Sequence, residues 1–297
     1  LGIKMSRTKS GRNLTQPALI RRLLKTVDID EVRERGRRKR TPAVPGKVLH
    51  KDIGGPIRCK QWDYRSVVGM LNWLAHSTRP DILFAVSQVG RFMAYPKKLH
   101  EDAVLRICEY LRDTADKGLL MEPKKGTGFQ VYADADFCGN YHKFNTEDPT
   151  TAKSRTAYHV LFNGCLIYSH SKLQTEVALS TTEAEYICLS QALRSVLHLM
   201  RLFKELDKRI PEFQYEKPVF RCVAFEDNNG AIELAKAPKL RLRTKHINIK
   251  YHHFKEAVRR GDIQIVKVDT AEQLADIGTK ALEAKPFEYL RCKLQGW

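Results

Sequence analysis

The feature of this sequence that most constrains its fold is a series of three strand patterns followed by a long helical pattern. Short runs rich in β-branched and aromatic residues cover 129–133, 156–162 and 165–170, and such runs are typical of strands. Asn163-Gly164 separates the second run from the third, and this dipeptide is the strongest short signal for a two-residue hairpin turn. A helical apolar period then extends from Thr181 to about Leu206. The chain should therefore place an antiparallel hairpin beside a long helix.

Strand and helix patterns alternate from there to the end of the chain. They predict a strand at Val219–Phe225, a helix at Asn229–Leu234, a helix near Ile249–Arg259, a strand at Ile263–Val268 and a last helix from Glu272. The resulting order β-β-β-α-β-α-α-β-α is typical of an α/β domain whose sheet has a mixed edge.

The first part of the chain has a different pattern. Apolar residues recur at helical spacing over 64–76, 80–93 and 99–111, which predicts three amphipathic helices packed as a bundle. A brief strand-like start and a helix from Pro17 precede them. A linker is predicted at Arg33–Gly46, between the helix from Pro17 and the three amphipathic helices. This segment contains a run of like charges, two prolines and a glycine. Its basic run is at least as typical of a solvated loop as of a nuclear signal or a phosphate contact.

The strongest compositional fact is a formal net charge of +18 over 297 residues. A balance this basic usually indicates a polyanionic partner, most often nucleic acid, held by salt-sensitive contacts. A basic protein without such a partner is the alternative. The sequence contains no run of about 20 apolar residues, so nothing in it predicts a membrane span.

The cysteines and the first residue indicate the setting of the chain. The seven cysteines are odd in number, scattered and never spaced C-x-x-C, which predicts reduced thiols in an intracellular protein and not disulfides or a zinc site. The sequence begins with Leu1 and has no signal-peptide pattern. We therefore expect a piece of a longer protein.

Two carboxylates end the first strand pattern. The segment Val131–Gly139 carries Asp134 and Asp136 at alternate positions, and alternate residues of a strand point to the same face. Two like charges side by side raise the free energy unless a cation or water meets them. An isolated pair of this kind is more often a strand end that faces water than a metal site. A metal site needs further carboxylates.

Three more acids lie at positions suited to one shared site. Glu183 opens the long helix, where Ser180 and Glu183 also form a capping-box pattern that accounts for this glutamate without any ligand. Asp227 follows a strand and precedes a helix, which is where α/β sheets hold their sites. Asp276 lies early in the last predicted helix, where the helix dipole is the alternative explanation. With Asp134, these acids would suit two Mg²⁺ ions acting on a phosphodiester.

A set of motifs in fixed order makes the sequence recognisable. The motifs of the second part are Tyr132-Ala-Asp-Ala-Asp136 with Gly139, Ser154-Arg-Thr156, Ser180-Thr-Thr-Glu-Ala-Glu-Tyr186, Asp227-Asn228, Lys245-His-Ile247 with Tyr251-His252, and Gln273-Leu-Ala-Asp-Ile277 with Thr279-Lys280. Those of the first part are Leu1-Gly-Ile3, Gln16-Pro17, Tyr64-Arg-Ser-Val-Val-Gly69 and Thr78-Arg-Pro-Asp81. The later motifs resemble the ribonuclease H domain of copia-type retrotransposon polyproteins, and the earlier ones resemble the end of that family's reverse transcriptase. The resemblance covers nearly the whole chain.

The resemblance implies a fold, an activity and a division of the chain. Residues 1–50 would be the end of the reverse transcriptase palm and the start of its thumb with the basic linker, and 51–126 the helical thumb and connection region. Residues 127–297 would form a ribonuclease H-like mixed five-stranded sheet with flanking helices. The implied reaction is hydrolysis of the RNA strand of RNA–DNA hybrids with two Mg²⁺ ions, which Mn²⁺ could replace. The implied partners are the hybrid and the rest of the reverse transcriptase polyprotein. The implied location is intracellular, in a cytoplasmic virus-like particle, in the nucleus, or in both.

The resemblance also implies roles for single residues. Carried over one by one, the family's catalytic, metal-binding acids fall on Asp134, Glu183, Asp227 and Asp276. Asp136 and Glu185 become supporting acids. His246 or His252 could assist proton transfer or product release, although a lone histidine is more often structural.

The sequence departs from the family's pattern at some positions. The aspartate pair of the polymerase is absent, so we do not expect this piece alone to synthesise DNA. Asn248 stands where the family often has an acid, and Gly278 stands where it often has phenylalanine. Because glycine disfavours a helix, Gly278 should weaken the last helix and so affect the placing of Asp276.

Two rival functions stay open. One is a catalytically silent, nucleic-acid-binding remnant or host-adopted element, against which the intact acids argue. The other is a DNA-cutting integrase or transposase, which uses similar carboxylates on a related sheet. Such an enzyme should carry its last acid on a late helix, whereas Glu183 opens the first long helix of this region.

Overall fold

The computed structural model describes residues 2–30, 38–124, 126–141, 148–210, 220–237, 247 and 249–297. Residues 33–37 of the basic linker, Lys245, His246 and Asn248 lie outside the described residues, as does Val219 at the start of one predicted strand. Among the described helices, none is both long and apolar enough to cross a membrane.

The chain divides into two compact units. The first unit comprises Leu1–Met121, Gly139–Ala152 and Lys280–Trp297, and the second comprises Glu122–Cys138 and Lys153–Thr279. In chain order, the helices and strands are β1 (Lys4–Arg7), β2 (Arg12–Thr15), α1 (Pro17–Thr26), α2 (Tyr64–Ser77), α3 (Leu83–Gly90), α4 (Lys98–Arg112), β3 (Leu119–Met121), β4 (Phe129–Asp136), β5 (Arg155–Phe162), β6 (Cys165–Leu173), α5 (Thr181–Arg209), β7 (Cys222–Glu226), α6 (Asn229–Lys236), α7 (Lys255–Arg259), β8 (Ile263–Lys267), α8 (Asp276–Thr279) and α9 (Ala284–Gln295).

The first unit contains the predicted helices together with a small sheet. Helices α2, α3 and α4 correspond to the three apolar periods, and a 3₁₀ turn at Pro80–Ile82 precedes α3. Asp63 caps α2, since its carboxylate accepts hydrogen bonds from the backbone amides of Arg65 and Ser66. The antiparallel sheet β1-β2-β3 includes two strands, β2 and β3, that the sequence pattern does not predict. The first unit also includes Gly139–Ala152 and Lys280–Trp297, two segments within the range 127–297 that the resemblance implies for one domain.

A buried ion pair lies at the centre of the first unit. The Arg79 guanidinium donates to both carboxylate oxygens of Asp81, at 3.0 and 2.8 Å, and also to Thr114. The Tyr110 hydroxyl donates to Asp81 at 2.6 Å. Burial acts to raise the pKa of Asp81, but Arg79 and Tyr110 outweigh burial and leave this pKa below its usual range. The Thr78–Asp81 motif therefore has a structural explanation in this unit.

We predict that Arg79→Met destabilises the first unit by about 3–5 kcal/mol, because it leaves the buried Asp81 carboxylate without its cation. Urea unfolding followed by tryptophan fluorescence measures this change selectively, since Trp62, Trp73 and Trp297 all lie in the first unit. The double variant Arg79→Met, Asp81→Leu should recover part of the lost stability, because it leaves no buried charge unpaired. An equal loss in both variants would contradict the argument.

The second unit is built on a five-stranded mixed sheet with the order β6-β5-β4-β7-β8. Strand β5 pairs antiparallel with both β4 and β6, whereas β7 pairs parallel with β4 and β8 pairs parallel with β7. The predicted mixed α/β sheet with flanking helices is confirmed. Asn163 and Gly164 connect β5 to β6 with φ values of 49° and 75°, which are the positive values that a type I′ hairpin turn requires.

Helix α5 covers the centre of this sheet. Ser180 caps it by accepting a hydrogen bond from the Glu183 amide. Apolar side chains of the helix, among them Ala184, Cys188 and Leu189, form one buried core with residues of β4, β5, β7 and β8. A long connection of this kind is what allows β7 to return parallel to β4. The helix thereby carries its first turns to the ends of these two central strands.

The last predicted helix is interrupted in the structure. The segment from Glu272 forms the end of a 3₁₀ turn, then the four-residue α8, and a new helix α9 begins only at Ala284. Pro286 lies in the first turn of α9, where proline is tolerated, and it could not continue a helix arriving from α8. Likewise, the helix predicted near Ile249–Arg259 is a 3₁₀ turn at Ile249–His252 followed by α7.

Candidate metal centre

The candidate site begins where β4 extends beyond its parallel neighbour. Strand β7 pairs with β4 only over Phe129–Tyr132. Beyond that point, side chains bond to the backbone of β4: Gln273 Nε2 donates to the Ala133 carbonyl at 2.9 Å, and the Ala135 amide donates to Glu185 Oε2 at 2.7 Å. The opening between the two strands is thus filled by polar side chains.

Three carboxylates converge at this opening. Asp134 comes from β4, Glu185 from α5 and Asp227 from the residue after β7, and one oxygen of each lies within 4.8 Å of the others. Asp134 and Glu185 are buried, and Asp227 is half-buried. Because β4 and β7 are parallel neighbours, their carboxyl ends meet at one edge of the sheet, which is where α/β sheets place ligands.

Glu185, and not Glu183, belongs to this group. Residues two positions apart on a helix point in nearly opposite directions, and it is the Glu185 carboxylate that lies beside Asp134 and Asp227. Glu183 bonds at the start of the helix instead. Its amide donates to Ser180 Oγ at 3.2 Å, and its carboxylate accepts at 2.7 Å from the amide of Leu179, one residue before the predicted capping-box partner Ser180. The sequence motif predicts Glu183 as the ligand and Glu185 as support; the structure places Glu185 beside Asp134.

The two remaining predicted acids lie outside this group. Asp276 is buried at the start of α8, and Thr279 at the end of α8 donates from its hydroxyl to Asp134 Oδ2 at 2.6 Å. The short helix therefore contacts the site through Thr279. Asp136 is half-buried at the end of β4.

His252 contacts the helix that carries Glu185 but bonds to a different residue. Its Nδ1 lies 2.6 Å from the hydroxyl of Tyr186. Burial is the main cause that lowers the pKa of His252, and Lys255 acts in the same direction. His252 is therefore neutral at pH 7, and its role in proton transfer stays a prediction.

The charges at the site disfavour full ionisation. Burial, and then the nearby charges of Asp134, Glu226 and Asp227, raise the pKa of Glu185 well above its usual range. Burial likewise raises the pKa of Glu226, although a hydrogen bond from the Asn228 amide opposes this effect. Full ionisation of these acids would therefore place more negative charge in this region than its buried surroundings stabilise.

Glu226 is an acid that the sequence motifs do not single out. Its side chain is fully buried, and Oε1 accepts a hydrogen bond from the Asn228 amide at 3.1 Å. The alternation along β7 could have located it, because Cys222, Ala224 and Glu226 are the buried residues of that strand.

The residues present fit a hard divalent cation such as Mg²⁺. The donors are all carboxylate oxygens, which Mg²⁺ prefers over nitrogen and sulfur. Opposite ligands of one Mg²⁺ ion lie about 4.2 Å apart, so oxygens within 4.8 Å of one another need only small side-chain rotations. A bound cation would also offset the repulsion that raises the pKa of Glu185.

Sequence comparison relates the chain to transposon proteins, although no protein-family model matches it. It is 37% identical over 225 residues, 76% of its length, to "Retrovirus-related Pol polyprotein from transposon TNT 1-94" of Nicotiana tabacum. It is 32% identical over 294 residues, 99% of its length, to the Pol polyprotein from transposon RE1 of Arabidopsis thaliana. The identity to the transposon Ty1-DR1 Gag-Pol polyprotein of Saccharomyces cerevisiae is 23% over 268 residues. The chain spans 16%, 19% and 14% of the lengths of these three relatives.

We predict that the metal-free protein loses stability as the pH rises. Glu185 keeps its proton to higher pH in the folded chain than in the unfolded chain, so the free energy of unfolding decreases from the usual glutamate pKa upward through the raised pKa. The slope from this group is at most about 1.4 kcal/mol per pH unit. Urea unfolding followed by circular dichroism, in a chelator, should show a smaller decrease for Glu185→Gln. Parallel curves for the two proteins would rule out this role of Glu185.

We also predict that Thr279→Val weakens divalent-metal binding about 10–100-fold, the range found for groups that orient metal ligands. The variant removes the hydroxyl that donates to Asp134 Oδ2 while keeping a similar volume. Isothermal titration calorimetry with Mn²⁺ measures the change. Thr279→Ser retains the hydroxyl and should bind within a few-fold of the unchanged protein; if both variants bind equally weakly, the hydrogen bond is not the cause.

Proposed function

We propose that this chain, which is homologous over most of its length to the Pol polyproteins of copia/Ty1-type retrotransposons, is a ribonuclease H that depends on a divalent metal. Its substrate is an RNA–DNA hybrid, and its reaction is hydrolysis of phosphodiester bonds in the RNA strand. The observation that carries the proposal is the convergence of Asp134, Glu185 and Asp227 at the carboxyl ends of two parallel strands.

The topology of the second unit supports this assignment. The resemblance implies a mixed five-stranded sheet with flanking helices, and β4 to β8 form such a sheet, with β4 at its centre. The first unit, with α2 to α4, corresponds in this proposal to the thumb and connection region of a reverse transcriptase. Within the polyprotein, the remainder of that enzyme would be its partner.

Each residue of the site has a role in the proposed reaction. Asp134, Glu185 and Asp227 hold the divalent cations, and Asp276 is the proposed fourth ligand. The Ala135 amide orients the Glu185 carboxylate, and the Thr279 hydroxyl orients that of Asp134. When bound, divalent cations supply an acidified water and stabilise the charge that develops on the phosphate. Glu183 acts on the helix end and not on the substrate.

The composition of the chain supports a nucleic-acid substrate. A net charge of +18 favours a polyanion, whose backbone phosphates Lys and Arg side chains bind with release of counterions. The 2′-hydroxyl is the group by which a protein distinguishes an RNA strand from a DNA strand. An RNA–DNA hybrid carries both the backbone phosphates that basic side chains bind and the 2′-hydroxyls that mark its RNA strand.

We predict that Glu185→Gln lowers the rate of hybrid cleavage by more than about 100-fold, since even groups that only orient ligands are worth 10–100-fold. Glu183→Gln is the matched control, because it makes the same chemical change two residues away. It should retain the cleavage rate and lose at most about 1 kcal/mol of stability with the weakened cap. The assay uses the purified chain, Mg²⁺ and a hybrid labelled on its RNA strand, beside labelled DNA and RNA duplexes.

Each contrary result of this assay has a distinct meaning. Loss of cleavage in Glu183→Gln but not in Glu185→Gln would reverse the ligand assignment. Hybrid binding without cleavage by the unchanged protein would indicate a catalytically silent nucleic-acid-binding element. Cleavage of the DNA duplex would indicate an integrase or transposase activity.

A further inference from the structure

A cavity of about 380 Å³ lies within the second unit, away from the carboxylates of the metal centre. Residues of β5, β6, α5 and the segment 250–253 line it. Tyr158 of β5 stacks on His170 of β6, with ring centroids 4.9 Å apart, and the two rings form part of its wall. Its volume lies within the range of about 300–1,000 Å³ that is usual for sites of small molecules.

Three cations converge on this cavity from three parts of the chain. Lys172 comes from β6, Arg194 from α5 and Lys250 from the turn that precedes α7. Lys250 pairs with Glu176 and also lies over the ring of Tyr251, 4.9 Å from its centroid. Neither Lys172 nor Arg194 forms a salt bridge with any residue that the structure describes. Positive charge at the cavity is therefore only partly compensated.

The rest of the lining is neutral and can form hydrogen bonds. Ser190 Oγ lies 3.4 Å from Nδ1 of His253, and both residues line the cavity. Burial lowers the pKa of His253, and the neighbouring Arg194 and His198 act in the same direction, so this imidazole is neutral at pH 7. Among the described lining residues there is no aspartate or glutamate. The cavity therefore offers cations and neutral hydrogen-bonding groups to an anion.

This lining matches a phosphate dianion better than a carboxylate or a backbone phosphodiester. Cations that approach from three elements suit a tetrahedral group with several acceptor oxygens, whereas a planar carboxylate is met by a single forked guanidinium. A phosphate monoester carries a charge of about −1.5 to −2 at pH 7, whereas a backbone diester carries only about −1. Lys172 and Arg194, which form no salt bridge within the described part of the chain, can together neutralise a dianion.

We propose that this cavity binds the phosphate group of a small phosphate monoester of nucleotide size. Lys172 and Arg194 neutralise the phosphate, and Ser190 and His253 contribute hydrogen bonds. The inference does not depend on the proposed nuclease activity, because no residue of the metal centre lines the cavity.

Isothermal titration calorimetry on the full chain, in chelator and at constant ionic strength, distinguishes the ligands. The probes are adenosine 5′-monophosphate, inorganic phosphate, adenosine and the diester adenylyl-(3′→5′)-adenosine. We expect the monophosphate to bind at least about tenfold more tightly than adenosine or the diester, in line with a charge-assisted hydrogen bond. Inorganic phosphate shows whether the phosphate alone suffices: binding equal to that of the monophosphate would place the whole affinity in the phosphate group. Equal affinity for adenosine, or tighter binding of the diester, would overturn the proposal.

A matched pair of variants tests the location. Arg194→Gln removes a cavity cation, while Arg201→Gln removes an exposed cation of the same helix that does not line the cavity. We expect the first variant to bind adenosine 5′-monophosphate about tenfold more weakly and the second to bind it unchanged. Both positions are exposed, so thermal unfolding should match that of the unchanged protein and exclude misfolding as the cause. An equal loss in both variants would show a general charge effect and refute this site.

Discussion

The crowding of carboxylates where β4 extends beyond β7 is the constraint on which the rest of the second unit depends. Asp134 and Asp227 meet because the two strands are parallel neighbours, and such neighbours require the long connection that α5 provides. The same helix then brings Glu185 to the backbone of β4, where its carboxylate accepts a hydrogen bond from the Ala135 amide. The strand order, the length of α5 and the early end of β7 thus together bring Asp134, Glu185 and Asp227 to one place.

Local patterns were sufficient to predict the hairpin, the long helix and the mixed sheet, but not which glutamate enters the site. The Asn163-Gly164 turn and the period of α5 are encoded by residues close in sequence. The choice between Glu183 and Glu185 depends on the rotation of α5 against β4, which no local signal reports. The capping pattern of Ser180 and Glu183 was already visible in the sequence. In the structure, Ser180 Oγ accepts from the Glu183 amide, and the Glu183 carboxylate accepts from the Leu179 amide.

Gly278 disfavours a helix locally, but in the folded protein it also permits close packing. As a helix-disfavouring residue, it agrees with the shortness of α8. A Cβ atom at this position would lie 2.8 Å from the Cβ of Ala157, and the Gly278 carbonyl accepts a hydrogen bond from Ser171 at 2.6 Å. The glycine therefore permits α8 to pack directly on β5 and β6. That close approach places the Thr279 hydroxyl against Asp134, which the sequence alone could not indicate.

The two units contain buried carboxylates in opposite electrostatic states. In the first unit, Arg79 and Tyr110 leave the pKa of Asp81 below its usual range despite complete burial. In the second unit, burial and neighbouring acids leave the pKa of Glu185 well above it. A buried carboxylate that serves stability alone needs its compensating cation within the protein, as Asp81 has. Glu185 is surrounded by further acids instead, and an external divalent cation would offset the repulsion that arises when these acids ionise.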